Sequence, residues 1–240
     1  MTQGSFPITG ERTVPGVWHE NYWYRRHEAA YRFLLPYAAV RSLLEIGAGE
    51  GYGAALFASV AARVVAIDYD AASVRHAAGR YTGPTFVQAN GAALPVGDGA
   101  CDMVAALQVI EHIWDQPQFL AQCRRVLRPG GTLLVTTPNR LTFSPGDALP
   151  HNPFHSHEFT AAELASLVNA CGFAHVEIFG LEAGPGLQQH QAFVAAQLTA
   201  PPDDWAGALA QRVAAVTVSD FVITRCDPDT ALDLIAVARV

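Results

Sequence analysis

Three features predict a doubly wound α/β fold. Short apolar runs alternate with helical stretches, a glycine-rich turn follows the first of those runs, and a carboxylate ends the second. Strands that are apolar along their whole length belong to a parallel sheet covered on both faces. The expected sheet has seven strands, mostly parallel with an antiparallel last strand, and an N-terminal helical cap.

The elements follow in order. Residues up to Gly16 read as loop, with Pro7 and Pro15. Residues 17–37 carry apolar and aromatic side chains at helical spacing, closed by Pro36. SLLEIG is a buried strand, AALFASVAA a helix, RVVAID a strand, AASVRHAAGR a helix and TFVQAN a strand. CDMVAALQV is the fourth strand. QPQFLAQCRRVLRPGG reads as a helix ending at Pro129-Gly130-Gly131, and TLLVTTPN as the fifth strand. A polar loop rich in Pro and His comes next. AAELASLVNACGF is then a helix with Gly172 past its end, and HVEIFG a strand. Residues 181–230 depart from the alternation and hold two expected helices, before the closing strand ALDLIAVARV. The whole reads as one domain over 1–240, with a cap over 1–41, a site loop over 140–160 and a helical insertion over 181–230.

Composition narrows the function. The 240 residues suffice for one full domain with a buried core. Half the chain is hydrophobic and 15% is charged, which argues against disorder. A net charge of -7 leaves no basic surface for a nucleic acid backbone and suits a neutral or cationic substrate better than a polyanion. Cys101, Cys123, Cys171 and Cys226 are scattered, with no Cys-x-x-Cys pair, and read as reduced thiols. No apolar run approaches the about 18 residues that span a bilayer. The start, MTQGSFPITGERTVPG, lacks a signal-peptide core, so a cytoplasmic enzyme is expected.

The glycine loop runs Glu45-Ile46-Gly47-Ala48-Gly49-Glu50-Gly51-Tyr52-Gly53, from a strand into a helix. Glycines let the backbone turn tightly and let a ligand approach, and the helix start presents oriented N–H groups. Asp68 ends the second strand, where a carboxylate can accept both ribose hydroxyls of a nucleoside. A dinucleotide site shares this geometry, but counting from Gly47 its third glycine falls on Tyr52. Counting from Gly49 restores the pattern only by starting it two residues late.

Glu45-x-Gly-x-Gly-x-Gly instead resembles the first motif of class I S-adenosylmethionine-dependent methyltransferases, which share a Rossmann-like fold. The resemblance covers 43–140 and includes the Leu127-Arg128-Pro129-Gly130-Gly131-Thr132 turn. It implies S-adenosylmethionine as cofactor, with Glu45 near the amino end of the methionine moiety and Gly47, Gly49, Gly51 and Asp68 as its cradle. Tyr69, next to Asp68, belongs to the same implied site. In Gln88-Ala89-Asn90-Gly91-Ala92, Asn90 stands where the family usually has an acid, so an amide with Gly91 would meet the adenine. Gln108 closes the fourth strand and would lie under the ligand. Asp102 matches a family position but reads better as a packing carboxylate.

Methyl transfer to an alcohol needs a group that takes the hydroxyl proton. Candidates follow two strand ends, where open α/β sheets bind ligands. The first is Val109-Ile110-Glu111-His112-Ile113-Trp114-Asp115. A similar Glu-His pair occurs in ubiquinone-type O-methyltransferases, some with a divalent cation there. Glu111 and His112 are therefore candidate metal ligands for magnesium, with Glu111 and Asp115 as a second pairing; capping of the next helix is the plain alternative. The second is Pro150-His151-Asn152-Pro153-Phe154-His155-Ser156-His157-Glu158. Its three histidines lack a thiol and a familiar zinc spacing. Asn-Pro-Phe-His followed by Glu158 is similar to methyltransferases of sugars and glycans. His155 is the first choice for the base, with His151, His157 and His112 behind it.

Before the core, Thr9-Gly10-Glu11-Arg12 and Glu20-Asn21-Tyr22-Trp23-Tyr24-Arg25-Arg26-His27 combine aromatic and basic side chains. Aromatic faces suit sugar rings, and Arg12 or Arg26 could hold the methionine carboxylate. Over nearly its whole length the chain resembles the family members that methylate mannosides in methylmannose polysaccharide synthesis. That resemblance implies methylation of the anomeric 1-OH of a short, partly 3-O-methylated α-mannoside, with a divalent cation. A small oligosaccharide is the expected partner, nucleic acid and membrane are not, and a homodimer stays open. Alternatives are a phenol- or quinone-type O-methyltransferase and a non-catalytic nucleotide-binding form of the fold.

Overall fold

The computed structural model describes residues 12–146, 149–187, 201–205, 207–225 and 227–240. The cap helix α1 is Asn21–Ala38. Then come β1 Ser42–Ile46, α2 Tyr52–Ala58, β2 Arg63–Asp68, α3 Ala71–Arg80, β3 Thr85–Gln88 and β4 Cys101–Leu107. The second half holds α4 Gln116–Val126, β5 Leu127–Pro138, α5 Arg140–Phe143, α6 Ala161–Ala170 and β6 Ala174–Ala183. α7 Gly207–Ala215, β7 Phe221–Thr224 and β8 Asp233–Arg239 complete it.

The sheet order is β3-β2-β1-β4-β5-β8-β6-β7. β3 to β5 pair in parallel, while β8 runs antiparallel to both β5 and β6. Because β1 and β4 are neighbours while the chain leaves β1 toward β2, their carboxyl ends flank the crevice where doubly wound sheets bind ligands.

Alternate residues of the central strands feed two apolar layers. Leu43, Met103 and Leu134 face α1 and α2 with Tyr22, Leu34 and Phe57. Leu44, Val104 and Leu133 face α4 and α6 with Phe119, Leu120 and Leu164. Helix starts are closed by side chains: Asp70 caps α3, Asp115 caps α4, and Thr160 with Glu163 forms a capping box on α6.

The structure corrects several boundaries. There are eight described strands, not seven. β7 lies inside the stretch expected to be helical, and pairs antiparallel with β6 through Phe221↔Ala183 to Thr224↔Gly180. Among the described residues α7 is the one α-helix of that insertion, flanked by 3-10 turns at Pro202–Asp204, Val218–Asp220 and Pro228–Thr230; 188–200 lie outside the described residues. α4 stops at Val126, and the Pro-Gly-Gly run is the bulged start of β5. There Leu127 pairs with Cys101 while Thr132 pairs with Met103. Pro129 has no N–H for a helix, and Gly130 at φ 75° lets its own N–H reach the Val240 carbonyl. α1 runs through Pro36 to Ala38, since a proline so near the end disturbs only the last turn.

Arg26 and Asp233 pin α1 to β8. Arg26 Nε and Nη2 donate to the two Asp233 oxygens at 2.6 Å each, and Nη2 also donates to the Leu232 carbonyl. Cys101, Cys123 and Cys171 are free thiols; Cys226 lies outside the described residues. No helix among the described residues is long and apolar enough to cross a membrane.

Candidate functional site

The glycine loop turns at the carboxyl end of β1. Gly47 has φ 75°, and a Cβ there would lie 2.5 Å from Val109 Cγ2. Gly51 has φ 101°, and a Cβ would lie 2.6 Å from the Ala77 methyl. Both positions therefore need glycine for conformation and for space. Asp68 organises the loop from β2. Its Oδ2 accepts the Gly49 N–H at 2.8 Å and its Oδ1 accepts the Asp70 N–H at 2.9 Å. The loop floors a cleft whose walls include Arg12, His27, Tyr52, Gln108 and Thr136.

Glu45 is buried behind this floor. Tyr31 donates its hydroxyl to Oε1 at 2.7 Å, while Oε2 has no hydrogen-bond partner. Burial pushes the Glu45 carboxyl up to about 8. Gln108 takes φ 56°, and its Nε2 donates to Thr136 Oγ1 at 3.1 Å, which fixes it on the cleft wall. Tyr69 is 66% exposed at the rim, with the Arg12 guanidinium 5.9 Å from its ring centre. Asn90 sits in an exposed turn where its Oδ1 accepts the Ala92 N–H. Gly91 packs on Ile46, where a Cβ would lie 2.9 Å from Cγ2.

Arg26 is not at this cleft, which corrects the expectation that it holds the methionine carboxylate. Arg26 is 1% exposed, and its Nε and Nη2 are committed to Asp233 and the Leu232 carbonyl. Arg12 is the arginine at the cleft, with Nη1 3.3 Å from Asp70 Oδ2 and Nη2 4.0 Å from Asp68 Oδ1. Its neighbours Thr9, Gly10 and Glu11 lie outside the described residues.

Sequence reasoning missed a polar knot on the cleft wall. Thr13 Oγ1 and Tyr52 Oη are 2.9 Å apart, and His27 Nδ1 lies 3.3 Å from Tyr52 Oη. Burial pushes the His27 imidazole down to about 4, so it is neutral. His27 stood in the singled-out aromatic and basic segment. Nothing local ties it to Tyr52, so its role was not readable there.

Beyond Gln108, a 3-10 turn over Ile110–His112 carries the second group of candidates. Glu111 is 1% exposed, and neither carboxylate oxygen has a hydrogen-bond partner. Burial, aided by the nearby Asp233 and Glu158 carboxylates, pushes it up to about 8. The 140–160 loop folds back onto this turn. The Ser156 and His157 N–H groups reach the Glu111 carbonyl, and the Ser156 hydroxyl donates to the Glu111 and Ile113 carbonyls. His155 is thereby brought edge-on to His112, ring centres 4.9 Å apart. One ligating atom from each of Glu111, His112 and His155 lies within 4.8 Å of the others.

The rest of the loop is arranged around His155. Its Nδ1 is 2.8 Å from Glu158 Oε1, and its Nε2 is 3.1 Å from Asn152 Nδ2. His112 Nδ1 is 3.0 Å from the Phe154 carbonyl. His157 instead meets Phe159 edge-on, ring centres 4.5 Å apart, and His151 is exposed on the far part of the loop. Asp115 caps α4 through the Gln118 N–H, so it is not paired with Glu111. Asp102 accepts from the Ser42 N–H and hydroxyl and pairs with Arg128, a packing role.

The donor set fits a cation. Glu111 offers two buried carboxylate oxygens without partners, and the His112 imidazole beside it is anchored through Nδ1, which suits a ligand to a metal.

The chain is similar to known proteins over its full length. The Methyltransferase domain family matches residues 44–135, which is β1 through most of β5. A Mycolicibacterium smegmatis protein described as a probable S-adenosylmethionine-dependent methyltransferase is 48% identical, over 98% of this chain and 95% of that one. A Mycobacterium tuberculosis protein of the same description is 47% identical over 96% of this chain and 88% of that one. The crystal structure of an Archaeoglobus fulgidus SAM-dependent methyltransferase superposes with a TM-score of 0.60 at 14% identity, covering 89% of this chain and 94% of that one, which speaks to the fold alone.

Proposed function

The chain belongs to the class I S-adenosylmethionine-dependent methyltransferases, and from that premise we propose that it is an O-methyltransferase of a sugar hydroxyl. The proposed acceptor is the anomeric 1-OH of a short, partly 3-O-methylated α-mannoside, as in the methylmannose polysaccharide 1-O-methyltransferases of mycobacteria that the chain resembles. The observation that carries the reading is the loop of Asn152, His155 and Glu158 closed onto Glu111 and His112, next to the glycine-loop cleft. An alcohol acceptor is a poor nucleophile until its proton is leaving, and this loop supplies a group placed to take it.

S-adenosylmethionine supplies the methyl group on a sulfonium, a good leaving group. Its adenosine end belongs on Asp68 and the glycine loop, with Asn90 and Gly91 at the base and Arg12 at the rim. The acceptor hydroxyl belongs near His155, with the half-buried Trp23 as the neighbouring aromatic surface; the buried Phe143 ring lies between them, 6.1 Å from Trp23 and 5.7 Å from His155, centre to centre. As the oxygen bonds to the methyl carbon, the carbon–sulfur bond breaks to release S-adenosylhomocysteine, and the hydroxyl proton passes to Nε2 of His155. A divalent cation, magnesium in this reading, would be held by Glu111 and His112 and would acidify the hydroxyl. A nitrogen bound to a cation cannot also take a proton, so the base role requires His155 to stay outside the coordination sphere.

The test is a transfer assay with labelled S-adenosylmethionine against a panel of mannosides and phenols, with chelator and with added magnesium. Transfer to the anomeric hydroxyl of a methylated mannoside, lost in chelator and restored by magnesium, is the expected result. Transfer to phenols alone would replace the acceptor, and full activity in excess chelator would remove the cation.

A further inference from the structure

Three residues of one loop and one backbone carbonyl decide which nitrogen of each site imidazole carries a proton. The Phe154 N–H donates to Asn152 Oδ1 at 3.0 Å. That contact turns the other end of the amide, Nδ2, toward His155, where it lies 3.1 Å from Nε2. An amide nitrogen only donates, so Nε2 must be the unprotonated nitrogen. The remaining proton is on Nδ1, which donates to Glu158 Oε1 at 2.8 Å. Each contact is consistent with the next along the chain Phe154 N–H, Asn152, His155, Glu158. On the other side, the Phe154 carbonyl is an acceptor only, so His112 Nδ1 carries the proton there as well.

Glu158 is held for this contact at some cost. It is 2% exposed, Oε1 meets His155, and Oε2 has no hydrogen-bond partner. A buried oxygen left without a partner costs free energy, so packing alone does not account for a glutamate here. Asn139, whose backbone bridges to that of Phe159, anchors the strand end through three side-chain bonds to carbonyls of the 228–231 turn. The backbone beside Glu158 is thus fixed independently of His155.

We propose that Glu158 is a positioning residue. Its carboxylate fixes the ring orientation of His155 and its Nδ1–H tautomer, so that Nε2 presents a lone pair to the acceptor. Asn152 guards that lone pair until the acceptor hydroxyl displaces its amide. When Nε2 takes the proton, the imidazolium keeps its Nδ1–H on Glu158 Oε1. In this proposal Glu158 acts through His155, its only hydrogen-bond partner through the side chain among the described contacts. The proposal deepens the assignment of His155 as base and rests on it for its effect on rate, but the tautomer does not depend on the acceptor.

The experiment reads both levels. Nitrogen-15 spectra of histidine-labelled full-length protein, at a pH where the rings are neutral, should show His155 as the Nδ1–H form; its resonance is assigned by loss in His155→Ala. In Glu158→Gln the carboxylate charge is gone, and the Nε2–H form should become populated. In the same variant kcat should fall by about 10- to 100-fold, with the acceptor KM and the affinity for S-adenosylhomocysteine nearly unchanged. An Nε2–H resonance in the wild-type protein overturns the proposal even if the variant does not fold. Wild-type kcat in a folded Glu158→Gln overturns it too. A changed tautomer with no activity on any sugar, in the wild type as in the variant, would instead sink the acceptor assignment and leave the positioning role standing.

Discussion

In the proposed site Asp68 serves both cofactor affinity and loop order, and Asp68→Ala removes both contributions at once. Its two oxygens already accept one backbone N–H each, from Gly49 at 2.8 Å and Asp70 at 2.9 Å. A carboxylate offers about four acceptor sites, so roughly two remain for ribose hydroxyls. A hydrogen bond to a charged group contributes about 1.5–3 kcal/mol, and water recovers part of that in the variant. The net loss of affinity should be ~1–3 kcal/mol, about 5- to 150-fold in Kd. Asp68→Asn is the sharper probe. It keeps one acceptor oxygen but turns an NH2 group against a backbone N–H, so it should disturb the loop while still offering the ribose a partner. Calorimetric titration with S-adenosylhomocysteine measures the affinity, and a melting curve shows that each variant is folded. A folded Asp68→Ala that binds with wild-type affinity refutes the assignment of this carboxylate to the ribose.

His155→Ala should lower the single-turnover rate by about 10²–10⁴-fold while cofactor affinity stays near wild type; a normal rate would move the base to His112. Arg26→Ala leaves Asp233 buried and unpaired, so it should cost about 3–5 kcal/mol of stability, seen as a lower denaturant midpoint, with cofactor affinity little changed in the folded fraction. Weakened affinity without loss of stability would return Arg26 to the cleft. Glu45 has its folded pKa raised to about 8 from 4.5 by burial. The folded state therefore holds this proton more tightly than the unfolded chain. The stability it contributes is complete below about pH 4.5 and is lost as pH rises through about 8. Melting temperatures of the ligand-free protein should fall over that window, and less steeply in Glu45→Gln; parallel curves would contradict the burial argument.

Much of the glycine-loop cleft was legible because it is local. Glycines at 47, 49 and 51 and a carboxylate at the end of the next strand define a backbone path and a charge within about two dozen residues. Gly47 and Gly51 have the positive φ and the crowding that their spacing suggested. β7 was not legible because Phe221–Thr224 is short and becomes a strand only by pairing with the edge of β6. The Pro-Gly-Gly run at the start of β5 was misread because those residues commonly end helices, whereas here the carboxyl-terminal strand supplies them a partner. Among the three loop histidines, spacing favoured none. Glu158, three residues on from His155, is the partner that distinguishes it.

The sequence by itself determined the sheet-and-helix alternation, the glycine turn after the first strand and the set of chemically able side chains. These follow from periodicity, glycine geometry and residue chemistry, which act over a few neighbours. Only the tertiary structure decided which charge meets which. Arg26 finds Asp233, 207 positions away, and is withdrawn from the cleft. Glu111 becomes a buried carboxylate with both oxygens unpaired, because the 140–160 loop closes over it. Partner choice and desolvation depend on packing between distant segments, and that information is carried by the folded chain as a whole and not by any stretch of it.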